Sequence, residues 1–268
     1  MVGKLFKHEF LSYAKVMSIL YIVLVTSACS CWVLRFLESN TVVYKVISAL
    51  SSATYNTSAF AAGVFSFALG IIRFYRNLFT AEGYLTLTLP VTVSQHIVVK
   101  AVTAVTVNCI TGLIVFLAGY IASGGETVSD ILALLQFLTR TIPWIGGHGV
   151  FFLIEIGILI LVSIFSSILL CYTFICIGQL FKKHRILAAV GAYFAFYIVS
   201  QVGLTVLTAV VATSTPMNFY NDLGRWMVEN PSSAFHTIMW GMILLDAAFA
   251  VLEFVVIRYI ITRKLNLE

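Results

Sequence analysis

Six stretches of this chain are apolar over a length that crosses a bilayer. A helix needs about 20 such residues to span the hydrocarbon core. Runs of that length lie at 16–36, 46–72, 95–122, 150–180, 186–213 and 237–261. Backbone N–H and C=O groups in hydrocarbon must be satisfied within the segment, and a helix does this. The pattern therefore predicts an all-α integral membrane protein with six transmembrane helices. All four prolines, Pro90, Pro143, Pro216 and Pro231, fall between the runs, where a helix can stop. Composition agrees: hydrophobic residues make up 60% and charged residues 10%, against roughly 45–50% and about 25% in soluble domains. No polar stretch is long enough for a separate globular domain, so residues 1–268 read as one transmembrane domain. The first run has no small-residue cleavage site behind it and is expected to stay as a span.

Basic residues set the orientation. With both termini in the cytoplasm, that side carries Lys4, Lys7, Lys15, Arg73, Arg76, Lys100, Lys182, Lys183, Arg185, Arg258, Arg263 and Lys264. The outer side carries only Arg35, Lys45, Arg140 and Arg225. This is the positive-inside pattern. It accounts for the net charge of +5 through an anionic inner leaflet, with membrane lipid as the partner and no need for nucleic acid.

Residues 1–15 precede the first span and are amphipathic at helical spacing. Leu5, Phe6, Phe10, Tyr13 and Met17 share one face, and Lys4, Lys7, His8 and Lys15 the other. This predicts an N-terminal amphipathic helix lying on the inner leaflet. Glu9 projects toward the apolar face. It either pairs with a basic loop residue or lies at the edge of the stripe.

Polar groups inside spans are costly against lipid and mark contacts or wet paths. The second span opens with Lys45, Ser48, Ser51, Ser52, Tyr55, Asn56 and Thr57. Below them Ser58, Ala62, Ser66 and Gly70 recur every four residues, a stripe that permits close helix approach. Packing within one subunit, a subunit interface and a translocation wall all fit that stripe. The fifth span offers Tyr193, Tyr197, Ser200 and Gln201. Three acids, Glu155, Asp246 and Glu253, fall within spans, and the last two share a helix face. A structural pair, a substrate contact and a proton relay are the open readings. Between spans, Ser129-Asp130 can cap a short helix, and Phe219, Tyr220 and Trp226 suit a membrane-interface belt.

Much chemistry is excluded. Cys29, Cys31, Cys109, Cys171 and Cys176 all lie in apolar segments and read as small apolar side chains, with no disulfide framework and no metal motif. There is no Gly-x-x-x-x-Gly-Lys-Ser/Thr loop to cradle nucleotide phosphates and no His-Glu-x-x-His. Neither a Ser/His/Asp set nor an inverted repeat is evident. The chain is expected to be no enzyme by itself and to bind no cofactor.

The segment 73–92, Arg-Phe-Tyr-Arg-Asn-Leu-Phe-Thr-Ala-Glu-Gly-Tyr-Leu-Thr-Leu-Thr-Leu-Pro-Val-Thr, lies between the second and third spans on the basic side. It is polar enough to leave the bilayer and aromatic enough to be ordered there, which makes it a docking surface for a soluble partner. Thr92 and Gln95 form a capping-box pattern that starts the third span rigidly. Phe74-Tyr75-Arg76-Asn77 and Glu82-Gly83-Tyr84-Leu85-Thr86-Leu87-Thr88-Leu89-Pro90-Val91 resemble the loop after the second span in permease subunits of type-2 ATP-binding cassette exporters of Gram-positive bacteria. The start Lys4-Leu5-Phe6-Lys7-His8-Glu9-Phe10 is similar to theirs as well. Ala81 stands where relatives often carry an acid.

The resemblance implies a multi-pass permease in the bacterial plasma membrane, paired with a second permease subunit and with a cytoplasmic ATPase that holds ATP and Mg. Arg76, Asn77, Phe79, Thr80, Glu82, Gly83, Tyr84 and Leu85 would couple to that ATPase. Ser48, Ser52, Tyr55, Asn56, Tyr197 and Gln201 would line the path of a hydrophobic or amphipathic substrate: a peptide or bacteriocin, a drug or a lipid. The rival reading is a non-transporting membrane scaffold or sensor.

Overall fold

The computed structural model describes residues 2–37, 39–80, 92–126, 128–129, 132–133, 149–181 and 183–263. Every long element is helical: α1 (Val2–Phe36), α2 (Val42–Phe79), α3 (Val93–Ala122), α4 (Gly149–Gln179), α5 (Arg185–Ser214), α6 (Met217–Glu229) and α7 (Pro231–Arg263). All but α6 are long and apolar enough to cross a membrane. These six match the six runs read from sequence. The chain divides into two compact units, residues 1–138 and 139–268.

In the first unit α1, α2 and α3 pack against one another in pairs. The stripe on α2 turns inward: Ala62, Ser66 and Gly70 are buried, and Ser58 is half-buried against Ser27. A Cβ on Gly70 would sit 3.2 Å from the Cβ of Ala104 on α3, so the missing side chain sets how closely the two helices approach. Tyr13, Met17, Leu69 and Val107 form one apolar cluster, and Leu24, Ala28, Ala62 and Ala118 another. The stripe therefore serves packing within this unit. Polar rungs join the same interfaces: Tyr21 to Thr111 at 2.7 Å, Ser66 to Asn108 at 3.0 Å and Ser30 to Ser51 at 2.8 Å.

Residues 1–15 are not set apart from the first span, because Val2–Phe36 is one continuous helix. At 1.5 Å per residue its 35 residues reach about 52 Å, well beyond a hydrocarbon core of about 30 Å. α2, with 38 residues, is longer still. Both helices must project from the membrane. The apolar face of 1–15 is covered by the chain itself: Tyr13 and Met17 are buried, whereas Lys4, Lys7, His8 and Lys15 are exposed.

In the second unit α4 packs on α7 and on α5, and α6 rests on α7. The α4–α5 link is tight. His184 takes a left-handed conformation at φ 55°, and a Cβ on Gly178 would lie 2.6 Å from the Arg185 carbonyl oxygen. Only glycine permits that approach. Phe174 meets Tyr193 and Phe196 across the same interface. No residue of α5 or α6 is buried.

Candidate functional site

The most elaborated polar site of the first unit is a charged junction where the ends of α1, α2 and α3 meet. Its centre is Glu9, 5% exposed. Lys100 Nζ donates to Glu9 Oε1 at 2.6 Å, and Asn77 Nδ2 donates to the same oxygen at 2.9 Å. Arg73 donates to Oε2 at 3.2 Å through one guanidinium nitrogen and to Ser12 Oγ at 2.7 Å through the other. The guanidinium also lies over the Tyr13 ring, 4.6 Å from its centroid. Charged hydrogen bonds of this kind are roughly twice as strong as neutral ones. Of the two sequence readings of Glu9, pairing is the one realised.

Local sequence accounts for each position. Arg73 and Asn77 are one turn apart on α2 and so share a face. Lys100 stands two turns beyond the N-cap of α3, on the buried side. The cap is the expected one: Thr92 Oγ1 accepts from Gln95 N at 3.4 Å, and Gln95 Oε1 accepts from Thr92 N at 3.1 Å. Asn77 and Arg73 lead into the 80–92 connection and Lys100 follows it. The helices on both sides of that connection are therefore bound to the same carboxylate of α1.

Among the residues expected to couple to an ATPase, Asn77 belongs to this junction. Phe79 is half-buried against Phe74 and Tyr75, while Arg76 and Thr80 are exposed. Glu82, Gly83, Tyr84 and Leu85 lie outside the described residues, as do most residues of the short helix expected after Ser129. His96, 1% exposed, has no hydrogen-bond partner on either ring nitrogen among the described residues.

The residues expected along a substrate path fall on both units. On α2, Ser48, Ser52 and Tyr55 line a cavity of about 280 Å³ with Cys31, Arg35 and Tyr44. Asn56 is exposed, as are Tyr197 and Gln201 on α5. The side chains of Asn56 and Gln201 make no hydrogen bond among the described residues.

The three acids read within spans, Glu155, Asp246 and Glu253, find partners across the α4–α7 interface. Glu155 faces His236, whose Nδ1 is 2.7 Å from Oε2. Ser163 Oγ donates to Asp246, and Ser166 Oγ lies 3.5 Å from Glu253 Oε2. Each acid thus meets a polar group of the neighbouring helix rather than lipid. The His236 partnership was not anticipated. Its signal was depth: Glu155 and His236 both stand in the second turn of their helices. Among the described residues no group of three or more His, Cys, Asp or Glu could hold a metal ion.

Comparison with protein-family models, with curated proteins and with solved structures found no match to this chain.

Proposed function

We propose that the chain is the transmembrane permease subunit of an ATP-binding cassette exporter, working with a second permease subunit and a separate cytoplasmic ATPase. The observation that carries this reading is the Glu9 junction. A displacement of the 80–92 connection would reach α1, α2 and α3 together, because Arg73, Asn77 and Lys100 all hold one carboxylate. That is a sound arrangement for turning closure of an ATPase into movement of spans. In this reading both termini are cytoplasmic, and the projecting start of α1 lies at the inner leaflet with Lys4, Lys7 and Lys15 toward acidic headgroups. ATP and Mg are bound and used on the partner.

Asn56 and Gln201 support a partner within the membrane. An amide facing hydrocarbon without a hydrogen bond is costly, on the order of several kcal/mol. A second subunit or a water-filled path would satisfy both, and the moving substrate would be hydrophobic or amphipathic.

The test is co-purification of the tagged chain from its own cells, followed by ATPase assay of the reconstituted assembly. The expected outcome is an ATPase subunit bound in stoichiometric amount, whose hydrolysis loses its coupling to export in Glu9→Gln. A chain that purifies with no ATPase would instead be a membrane scaffold or sensor.

A further inference from the structure

α6 differs from every other described helix. Its 13 residues reach about 20 Å, too short to cross a hydrocarbon core of about 30 Å. It is also the most amphipathic of the seven helices. Phe219, Tyr220, Leu223, Trp226 and Met227 recur at three- and four-residue spacing and share one face. Asn218, Asn221, Asp222, Arg225 and Glu229 share the opposite one. The described residues leave the apolar face open: Phe219 is 54% exposed, and Leu223, Trp226 and Met227 are exposed as well. Tyr220 is half-buried.

The links on either side fix where this face lies. Thr215 and Pro216 join α5 to α6, and Asn230 alone joins α6 to α7. α5 and α7 are both long and apolar enough to cross a membrane. At 30 residues α5 reaches about 45 Å, the thickness of a bilayer with its headgroups. Its end therefore stands at the membrane surface, and α6 starts there and returns there. Tyr220 adds a tie, because its hydroxyl donates at 3.0 Å to the Val211 carbonyl in the last turn of α5. Val210 and Val211 beside that tie are exposed, and so are Ile238 and Trp240 on α7. Exposed apolar side chains thus run from the end of α5 through α6 into α7.

We propose that α6 lies flat in the membrane surface, with Phe219, Leu223, Trp226 and Met227 set among the upper acyl chains and Asp222, Arg225 and Glu229 in water. Lipid is the occupant because this face continues the exposed apolar sides of two spans. Trp and Tyr side chains also suit the boundary between headgroup and acyl chain. Charge is not the attraction. The polar face holds two acids, Asp222 and Glu229, and one base, Arg225, so acidic headgroups gain nothing from it. The start of α1, with Lys4, Lys7 and Lys15, is the opposite case. α6 thus anchors the link between α7 and α5, a helix with no buried residue. The anchor is independent of any export activity.

The test is a nitroxide scan of α6 in the full-length, cysteine-free chain, reconstituted into vesicles. Single cysteines replace each residue from Met217 to Glu229 in turn, and each labelled variant is first matched to wild type by size-exclusion profile. Two relaxation probes are used: oxygen, which concentrates among acyl chains, and a nickel chelate, which stays in water. The ratio of oxygen to nickel collisions is expected to be severalfold higher at Phe219→Cys, Leu223→Cys, Trp226→Cys and Met227→Cys than at Asn218→Cys, Asp222→Cys, Arg225→Cys and Glu229→Cys. The same pattern is expected in phosphatidylcholine alone and with phosphatidylglycerol added. Leu223→Glu places a charge at the centre of the apolar face and is expected to lower the ratio at Trp226→Cys, whereas Leu223→Ile is expected to leave it unchanged. Equal nickel access on both faces would put α6 in water and overturn the proposal. Few collisions with either probe on the apolar face would show a protein partner there, such as a second copy of the chain, and would overturn it too. A pattern seen only with phosphatidylglycerol would overturn the claim that charge is not the attraction.

Discussion

Glu9 has wide consequence in the first unit, since removing its charge weakens its hold on two cations at once. Glu9→Gln keeps the shape but takes from Lys100, 4% exposed on its side chain, and from Arg73 the carboxylate that both hold. Breaking a buried pair in this way costs about 3–5 kcal/mol, so the solubilised variant should melt well below wild type in a thermal scan. Glu126→Gln breaks an exposed pair and should leave the same scan unchanged. Glycines divide in a similar manner. Gly178→Ala drives a Cβ into the Arg185 carbonyl and should cost about 1–3 kcal/mol, whereas Gly112 has nothing within 4 Å of its added Cβ and should tolerate alanine. A chemical denaturation series on the pair measures the difference. The conflict at Glu9 was legible in the sequence, because an acid on an apolar helical face needs a partner. The identity of that partner was not. Lys100 lies 91 residues away, and helical periodicity carries no information at that range. It was read instead as one more inner-leaflet cation.

The helices themselves were the most legible part. Each long apolar run became a helix, with Thr92 and Gln95 capping α3 as their spacing required. Local hydrogen-bond chemistry decides these features, so local sequence reports them. What sequence left open was which faces meet. The acids of the second unit show why: Asp246 and Glu253 share a face of α7, yet the choice of Ser163 and Ser166 as partners depends on how α4 aligns beside it. This makes a prediction about the α4–α7 pair. Asp246→Asn can still accept from Ser163 and should assemble normally. Asp246→Leu leaves that hydroxyl facing an apolar side chain and should lower the yield of monodisperse protein on size exclusion. Equal yields from the two variants would mean that apolar packing alone holds the helices together.

The whole molecule is organised by length as much as by packing. α1 and α2 both exceed the membrane, and the excess carries Lys4, Lys7, Lys15, Arg73 and Arg76. The orientation proposed above, with this excess in the cytoplasm, can be measured on a cysteine-free background. Lys45→Cys should react with an impermeant thiol reagent added to intact cells, and Lys4→Cys should react only after the cells are opened. The reverse result would invert the molecule. Sequence supplied this asymmetry because charge is counted without knowing any contact. The division into residues 1–138 and 139–268 was beyond its reach, since hydropathy marks spans and is silent on which of them pack together. The Glu9 junction also has a bearing on birth order at the ribosome. Glu9 emerges early, Arg73 and Asn77 considerably later, and Lys100 only after the third span has begun. Until Arg73 is made, the first helix carries an acid that nothing yet neutralises. A chain arrested before the end of α2 therefore displays a recognisable mark of incompleteness, one that fades as its own synthesis brings first Arg73 and then Lys100 into place.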